Sequence, residues 1–362
     1  MNEERNILVV DDSALMRRVM SDIIKSDKRL QVADTARNGL EALDLLKRGK
    51  KYDLIVLDIN MPQMDGVAFL EELNKQKMQE KILIVSAIAS QSAKETIRAL
   101  ELGAFDFVRK PDGFAEVRGQ NFKEELLTQV LLAVNMKAGL EQDVDWKTIS
   151  ELNKRKPVLQ TGSNIRTRSG GSDKLVFIAS STGGPKSLQE VVPIFPRNFP
   201  YPIVIIQHMP EGFTGSLAKR LDEVSPLTVQ EADDGMIVQK GHVYIAKGGY
   251  QLYLQQNRSH YSFAVRRDPP RGGLRPCADI FLESLAESSF AHVVCAVLTG
   301  MGADATKGLD YLVRYRNLSV VAQDEATSIV YGMPRAVKAA GLVDEVVPLG
   351  EIANAIIKKV GE

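Results

Sequence analysis

Short apolar runs that stop at a polar residue recur along this chain. They are separated by stretches of helical spacing, and they come in two series. In the first series, apolar residues 7–10 are followed by Asp11-Asp12-Ser13, and a weaker run lies at 31–33. Residues 54–57 end at Asp58, 82–85 at Ser86, and 104–108 at Arg109-Lys110-Pro111. Helical patterns occupy 65–76, 91–101 and 121–138 between them. The second series opens at 175–179, which stops at Ser180-Ser181. It continues with 202–206, ending at Gln207-His208, and 293–298, running into Thr299-Gly-Met-Gly-Ala-Asp304. Alternation of this kind predicts two α/β domains, each built on a doubly wound parallel sheet. Residues 242–246, 251–255 and 262–266 instead alternate apolar and polar, which predicts an antiparallel addition to the second sheet.

A chain of 362 residues has room for two or three domains with sizeable cores. The expected division is 1–140, a linker at 141–172, and 173–362. The linker is polar, mixed in charge, and holds the only tryptophan, Trp146. Trp146 is suited to dock the linker onto a domain face, and the sequence does not say which. Basic clusters at 154–157 and 166–168 read as solvation of that linker. With 46 basic and 46 acidic residues, no global field favours nucleic acid or an anionic membrane. Cys277 and Cys295 are too few for a disulfide framework or a cysteine metal cluster. The first residues lack a signal-peptide pattern, and no apolar run reaches the length of a membrane span. A cytoplasmic protein with no membrane insertion is expected.

Ligands of open α/β sheets bind at the carboxyl ends of the strands. In the first domain this edge gathers Asp11, Asp12 and Asp58. Carboxylates so close repel unless a hard divalent cation sits among them. Lys110 and Ser86 complete a pocket suited to a phosphoryl group on Asp58. Acidic residues also commonly cap helices that follow strands, and Asp12 is placed to do so.

In the second domain the same edge gathers Ser181, His208 and Asp304. A serine hydroxyl needs a base to take its proton, and the base needs an acid to fix its tautomer. Ala179 and Gly183 flank Ser181 at the positions where a sharp strand-to-helix turn requires small residues. The plainer alternatives are a Ser/Gly turn opening an ordinary helix, a satisfied core histidine, and Asp304 as a helix cap. The chain order Ser…His…Asp matches none of the well-known hydrolase orders.

Val10-Asp-Asp-Ser13, Leu57-Asp-Ile-Asn-Met-Pro-Gln-Met-Asp-Gly66, Val85-Ser-Ala87 and Lys110-Pro111 resemble a response-regulator receiver domain. The resemblance implies a flavodoxin-like fold with Asp58 as phosphoacceptor. It implies Mg²⁺ held by Asp11, Asp12, Asp58 and the backbone carbonyl of Asn60. It also implies that Ser86 follows the phosphoryl group and that Phe107 is the aromatic switch. Ala179-Ser-Ser-Thr-Gly-Gly184, Gln207-His-Met-Pro-Glu-Gly-Phe-Thr214, Leu298-Thr-Gly-Met-Gly-Ala-Asp304, Ala322-Gln-Asp-Glu325 and Tyr331-Gly-Met-Pro-Arg335 resemble the catalytic domain of CheB-type chemotaxis methylesterases. That resemblance implies a Rossmann-like esterase domain with Ser181 as nucleophile, His208 as base and Asp304 as orienting acid. Thr182 and Met301 fall where the family's oxyanion donors lie. The implied substrate is the glutamate γ-methyl ester on cytoplasmic chemoreceptor helices, released as methanol, with receptor glutamine deamidation as a further activity. No cofactor is expected for the esterase step. The implied phosphodonor is a chemotaxis histidine kinase, and the unphosphorylated receiver is expected to block the cleft.

Two residues depart from the family's pattern. Ala305 stands where glycine is usual, which bears on the geometry of the loop. Cys277 follows Arg275-Pro276 where serine is usual, and reads as a change of packing more than of chemistry. Two rival functions are a DNA-binding response regulator and a non-catalytic receptor-binding adaptor. Neutral charge and the lack of a helix-turn-helix pattern stand against the first, and Ala305 leaves the second open.

Overall fold

The computed structural model describes residues 4–111, 119–134, 146–154, 173–257 and 260–361. They fall into two compact units, Met1–Glu141 and Gln142–Glu362. The basic residues at 155–157 and 166–168 lie outside the described residues.

In the first unit the chain alternates β1 (Arg5–Val10), α1 (Ala14–Lys25), β2 (Leu30–Ala36), α2 (Gly39–Lys47) and β3 (Leu54–Asp58). It continues with α3 (Gly66–Lys75), β4 (Ile82–Ser86), α4 (Ser90–Glu101), β5 (Asp106–Arg109) and α5 (Gln120–Ala133). The sheet is parallel in the order β2-β1-β3-β4-β5. Strands β3 and β4 are buried along their whole length, as apolar runs covered on both faces must be. The order reverses at β1, so Asp11 and Asp58 leave neighbouring strands at the crevice where such sheets bind ligands. Asp12 does not cap α1. That role falls to Ser13, whose hydroxyl accepts the Met16 N–H, and the Asp12 side chain stays exposed. Asn38 caps α2, accepting from the Glu41 N–H at 2.9 Å.

The second unit begins with α6 (Trp146–Lys154), inside the stretch expected to be linker. Then come β6 (Lys174–Ser180), α7 (Gly184–Val191), β7 (Ile203–Gln207), α8 (Thr214–Val224), β8 (Thr228–Glu231) and β9 (His242–Ile245). The hairpin β10 (Gln251–Gln256) and β11 (Tyr261–Arg266) follows. The chain closes with α9 (Ala278–Ser284), β12 (His292–Val297), α10 (Thr306–Leu312), β13 (Asn317–Gln323), α11 (Met333–Ala339), β14 (Glu345–Val347) and α12 (Ile352–Val360). The main sheet is parallel throughout, in the order β14-β13-β12-β6-β7-β9-β8.

This corrects one expectation. The alternating stretch at 242–246 is not antiparallel, because β9 pairs in parallel with both β7 and β8. Val243, Tyr244 and Ile245 are all fully buried there, so its apparent alternation was not a solvent face. Among the strands of the described residues, only β10 and β11 pair antiparallel, as a separate two-stranded sheet.

Trp146 has a partner. Its ring lies 4.6 Å from the Arg335 guanidinium, a cation–π contact, and Ile149 is buried against Ala336 of α11 and Ala340 just beyond it. Among the described residues, no helix is long and apolar enough to cross a membrane.

Candidate functional site

Three adjacent strands, β12, β6 and β7, position the second-unit site. Strand β6 ends at Ser180 and β7 at Gln207, and these residues are paired in register. Ser181 and His208 are therefore the next residues on neighbouring strands. The His208 N–H donates to the Ser180 carbonyl at 3.0 Å, which locks the two strand ends together. Of the two serines, Ser180 is fully buried and donates to Gln207 Oε1 at 2.6 Å. Ser181 is the serine that reaches the surface. No hydrogen bond joins the Ser181 hydroxyl to His208 among the described residues. Such contacts commonly tighten only when substrate is bound.

The turn after Ser181 is as sharp as its composition suggests. Gly183 is left-handed, with φ 78°, and a Cβ there would lie 2.8 Å from Ile329. Gly184 leaves no room either, since a Cβ would stand 2.0 Å from Gln207 Oε1. Pro185 then occupies the first turn of α7. Gly300 packs against Ser181 itself, with its missing Cβ 2.8 Å from Ser181 Cβ. Met301 follows Gly300 directly, with its Cα 3.1 Å from where a Cβ on Gly332 would stand. Thr182 is buried, and its carbonyl accepts the Thr299 hydroxyl at 3.0 Å.

Asp304 is not at a strand end. It lies seven residues beyond β12, just before α10. Nor does it cap α10, whose cap residue is Ala305. Its carboxylate instead closes the N-terminus of α9, accepting the Ala278 N–H at 2.6 Å and the Asp279 N–H at 3.0 Å. Oδ2 also meets His208 Nε2 at 2.7 Å. Burial works against the Asp304 charge, but the His208 hydrogen bond, the His208 charge and the two helix N–H groups outweigh it. The carboxyl is held down to about 2. Its neighbour Asp279 goes the other way, raised to about 7 by burial and by the charge of Asp304.

Both departures from the expected pattern lie here. Ala305 takes the left-handed conformation, φ 78°, that a glycine would favour. The strain is roughly 1–2 kcal/mol. Cys277 is more than packing, since its Sγ lies 3.2 Å from Asp304 Oδ1. Sequence reasoning also passed over Gln207. This fully engaged side chain donates to the Ser181 and His208 carbonyls at 3.0 and 2.9 Å. A lone amide closing an apolar run was the available signal.

In the first unit, Asp11, Asp12 and Asp58 each bring an oxygen within 4.8 Å of the others. Lys110 Nζ lies 2.6 Å from Asp58 and 2.8 Å from Asp11. Burial, then the charge of Asp11, push Asp58 up to about 6 despite the lysine. Crowded oxygen ligands whose repulsion one lysine relieves only in part suit a hard divalent cation such as Mg²⁺. The Asn60 N–H reaches Asp58 Oδ1 at 3.4 Å, while its side chain donates to Ser92. Ser86 is buried and accepts a hydrogen bond from Thr96 of α4 at 2.7 Å. Phe107 is buried on β5, beside Ile84 of β4.

The class of protein is a receiver followed by an esterase unit built on its own parallel sheet. Residues 176–356 match the CheB methylesterase family, and residues 7–119 match the response regulator receiver domain. A protein-glutamate methylesterase/protein-glutamine glutaminase of Syntrophomonas wolfei is 38% identical over 357 residues, 98% of each chain. A protein of the same description from Thermotoga maritima is 39% identical over 360 residues, again 98% of each. The crystal structure of the Thermotoga maritima CheB methylesterase catalytic domain aligns with a TM-score of 0.50 and 43% identity. It covers 52% of this chain and all of that one. The chain belongs to the CheB methylesterase family.

Proposed function

We propose that the chain is a phosphorylation-activated protein-glutamate methylesterase acting in chemotactic adaptation. The observation that carries this reading is Asp304, a buried carboxylate bonded at 2.7 Å to His208, beside Ser181 at the edge of three adjacent strands. Because Asp304 holds Nε2, the ring nitrogen left for proton transfer is Nδ1. Ser181 Oγ attacks the γ-ester carbon while its proton passes to Nδ1. The oxyanion is received by the backbone N–H groups of Thr182 and Met301. Collapse breaks the C–OCH₃ bond, and the imidazolium returns its proton to release methanol. Water, deprotonated by His208, then frees the glutamate carboxylate from Ser181. A glutamine carboxamide enters the same path with ammonia as leaving group. The two activities in the relatives' name support deamidation as a second reaction.

Residues 1–140 form the receiver in this reading, 141–172 the linker and 173–362 the catalytic domain. Asp58 accepts the phosphoryl group from a chemotaxis histidine kinase. Asp11, Asp12, Asp58 and the Asn60 carbonyl hold Mg²⁺, which neutralises charge on the phosphoryl oxygens when bound. Lys110 and Ser86 contact the phosphoryl group, and Phe107 reports it to the surface. The substrate is methylated cytoplasmic helix of a chemoreceptor, which places the protein in the cytoplasm. Rapid mixing with a methylated receptor fragment tests the reading. A burst of methanol stoichiometric with enzyme is expected. It should vanish in Ser181→Ala, whose turnover falls by on the order of 10⁶. A Ser181→Ala variant that keeps several per cent of the rate would refute the assignment.

A further inference from the structure

The carboxylate of Asp304 accepts four hydrogen bonds, two at each oxygen. Oδ2 takes His208 Nε2 at 2.7 Å and the Ala278 N–H at 2.6 Å. Oδ1 takes the Asp279 N–H at 3.0 Å and the Cys277 thiol at 3.2 Å. A carboxylate has about four acceptor sites, so the set is complete, and the thiol is its one side-chain member besides the base. Nothing about Cys277 is loosely held. It is 2% exposed, and its N–H donates to Gln251 Oε1 at 2.9 Å. Gln251 is itself fully buried and donates to the Leu274 carbonyl at 3.0 Å. The backbone on either side of the sulfur is therefore fixed, and the sulfur is aimed at the acid.

We propose that Cys277 is a positioning residue for the esterase reaction, its S–H fixing the Asp304 carboxylate in the rotation that presents Oδ2 to His208. The proposal rests on the esterase reading. Burial and the negative charge of Asp304 push the Cys277 thiol up, so it stays protonated and remains a donor. Without it, Oδ1 keeps one donor in a buried site, and the carboxylate is free to swing toward the remaining N–H. The imidazole then loses alignment before it can take the serine proton. Substrate contacts are untouched, so the effect falls on kcat and leaves KM alone.

The test compares Cys277→Ser, Cys277→Ala and Cys277→Val in the full-length chain. Serine keeps a donor, alanine removes it, and valine removes it while filling the space. If alanine fails to fold, valine against serine answers the same question. Alanine and valine should each lower kcat by about 3- to 10-fold, the size expected for one weak donor to a charged acceptor, with KM unchanged. Serine should stay within about twofold of the parent enzyme, as restoring a donor requires. Proton NMR gives a readout that does not depend on turnover. The low-field resonance of the His208–Asp304 proton should move in alanine and valine and return in serine. Three results would overturn the proposal: alanine or valine matching the parent in both kcat and resonance, serine as impaired as alanine, or a loss confined to KM. A parent enzyme that releases no methanol would instead sink the esterase reading and leave the NMR comparison standing.

Discussion

Each unit of this protein buries an aspartate at the carboxyl edge of a parallel sheet, and the two are driven in opposite directions. Asp58 is pushed up to about 6, and Asp304 is held down to about 2. Burial opposes the charge of both. They differ in what surrounds them. Asp58 faces a second carboxylate, Asp11, and shares one ammonium with it. Asp304 also has a carboxylate, Asp279, within 4.8 Å, but it takes four donors: two helix N–H groups, an imidazole and a thiol. One site is short of positive charge and the other is complete in itself. A deficient carboxylate recruits a cation and is open to chemical modification, whereas a satisfied one serves as fixed machinery. The same residue type, one ending a strand and the other in a loop beyond one, is left short of donors in the first unit and satisfied in the second.

The comparison can be broken most severely at Asp304. Asp304→Asn keeps the shape but removes the charge that fixes the tautomer of His208. Methanol release should fall by about 10⁴-fold, the loss seen when a triad acid is so changed. A loss under tenfold would mean the carboxylate only caps α9.

At Asp58 the sign of the pH dependence sharpens the contrast. A carboxyl raised from 3.8 to about 6 binds its proton more tightly in the folded chain than in the unfolded one. Stability from this group is present at low pH and is lost as pH rises from about 4 through about 6. Asp304, lowered from 3.8 to about 2, contributes above pH 4 and loses its contribution as pH falls toward 2. In metal-free protein at pH 7, Asp58→Asn should therefore raise the melting temperature of the first unit by a few degrees. Mg²⁺ should do so in the parent and far less in the variant. Equal responses to Mg²⁺ would remove Asp58 from the cation site. Asp58→Asn should also abolish phosphate incorporation from a small phosphodonor.

A smaller effect is expected at α6. Trp146→Ala removes the contact with Arg335 and part of the apolar cover of α11, and should destabilise the second unit by about 1–2 kcal/mol in denaturant melts. For the same reason a fragment beginning at Gln142 should be more stable than one beginning at Asp173. Identical melts would mean the helix contributes nothing. If the receiver blocks the cleft when unphosphorylated, the longer fragment should also outpace the intact unphosphorylated chain and ignore phosphodonor.

Most of this architecture was legible because parallel strands buried on both faces announce themselves as apolar runs, and the ligating residues follow directly. Ser181, His208, Asp11 and Asp58 were singled out that way. The failures share a cause. Strand β9 was misread because Tyr244, fully buried, carries its hydroxyl to the Gln239 N–H and the Ile237 carbonyl, so a polar atom did not mark an exposed face. Asp304 was placed at a strand end because a glycine-rich loop hides its own length of travel. Its role in closing α9 depends on residues 25 and 26 positions away, a contact that no local pattern carries. Cys277 was invisible as a donor for the same reason. The α6 helix sits in a polar stretch whose few apolar residues, Trp146, Ile149 and Leu152, acquire meaning only against α11.

The second site is satisfied by its own donors, whereas the first is short of positive charge. Methanol release from a methylated receptor fragment tests this contrast most directly, measured with and without Mg²⁺ and a small phosphodonor. The parent chain should show a basal rate that chelation leaves intact, and a higher rate only when Mg²⁺ and phosphodonor are both present. Asp58→Asn should stay at the basal rate throughout, and Ser181→Ala should stay near zero. A basal rate abolished by chelation, or stimulation that survives Asp58→Asn, would contradict the account.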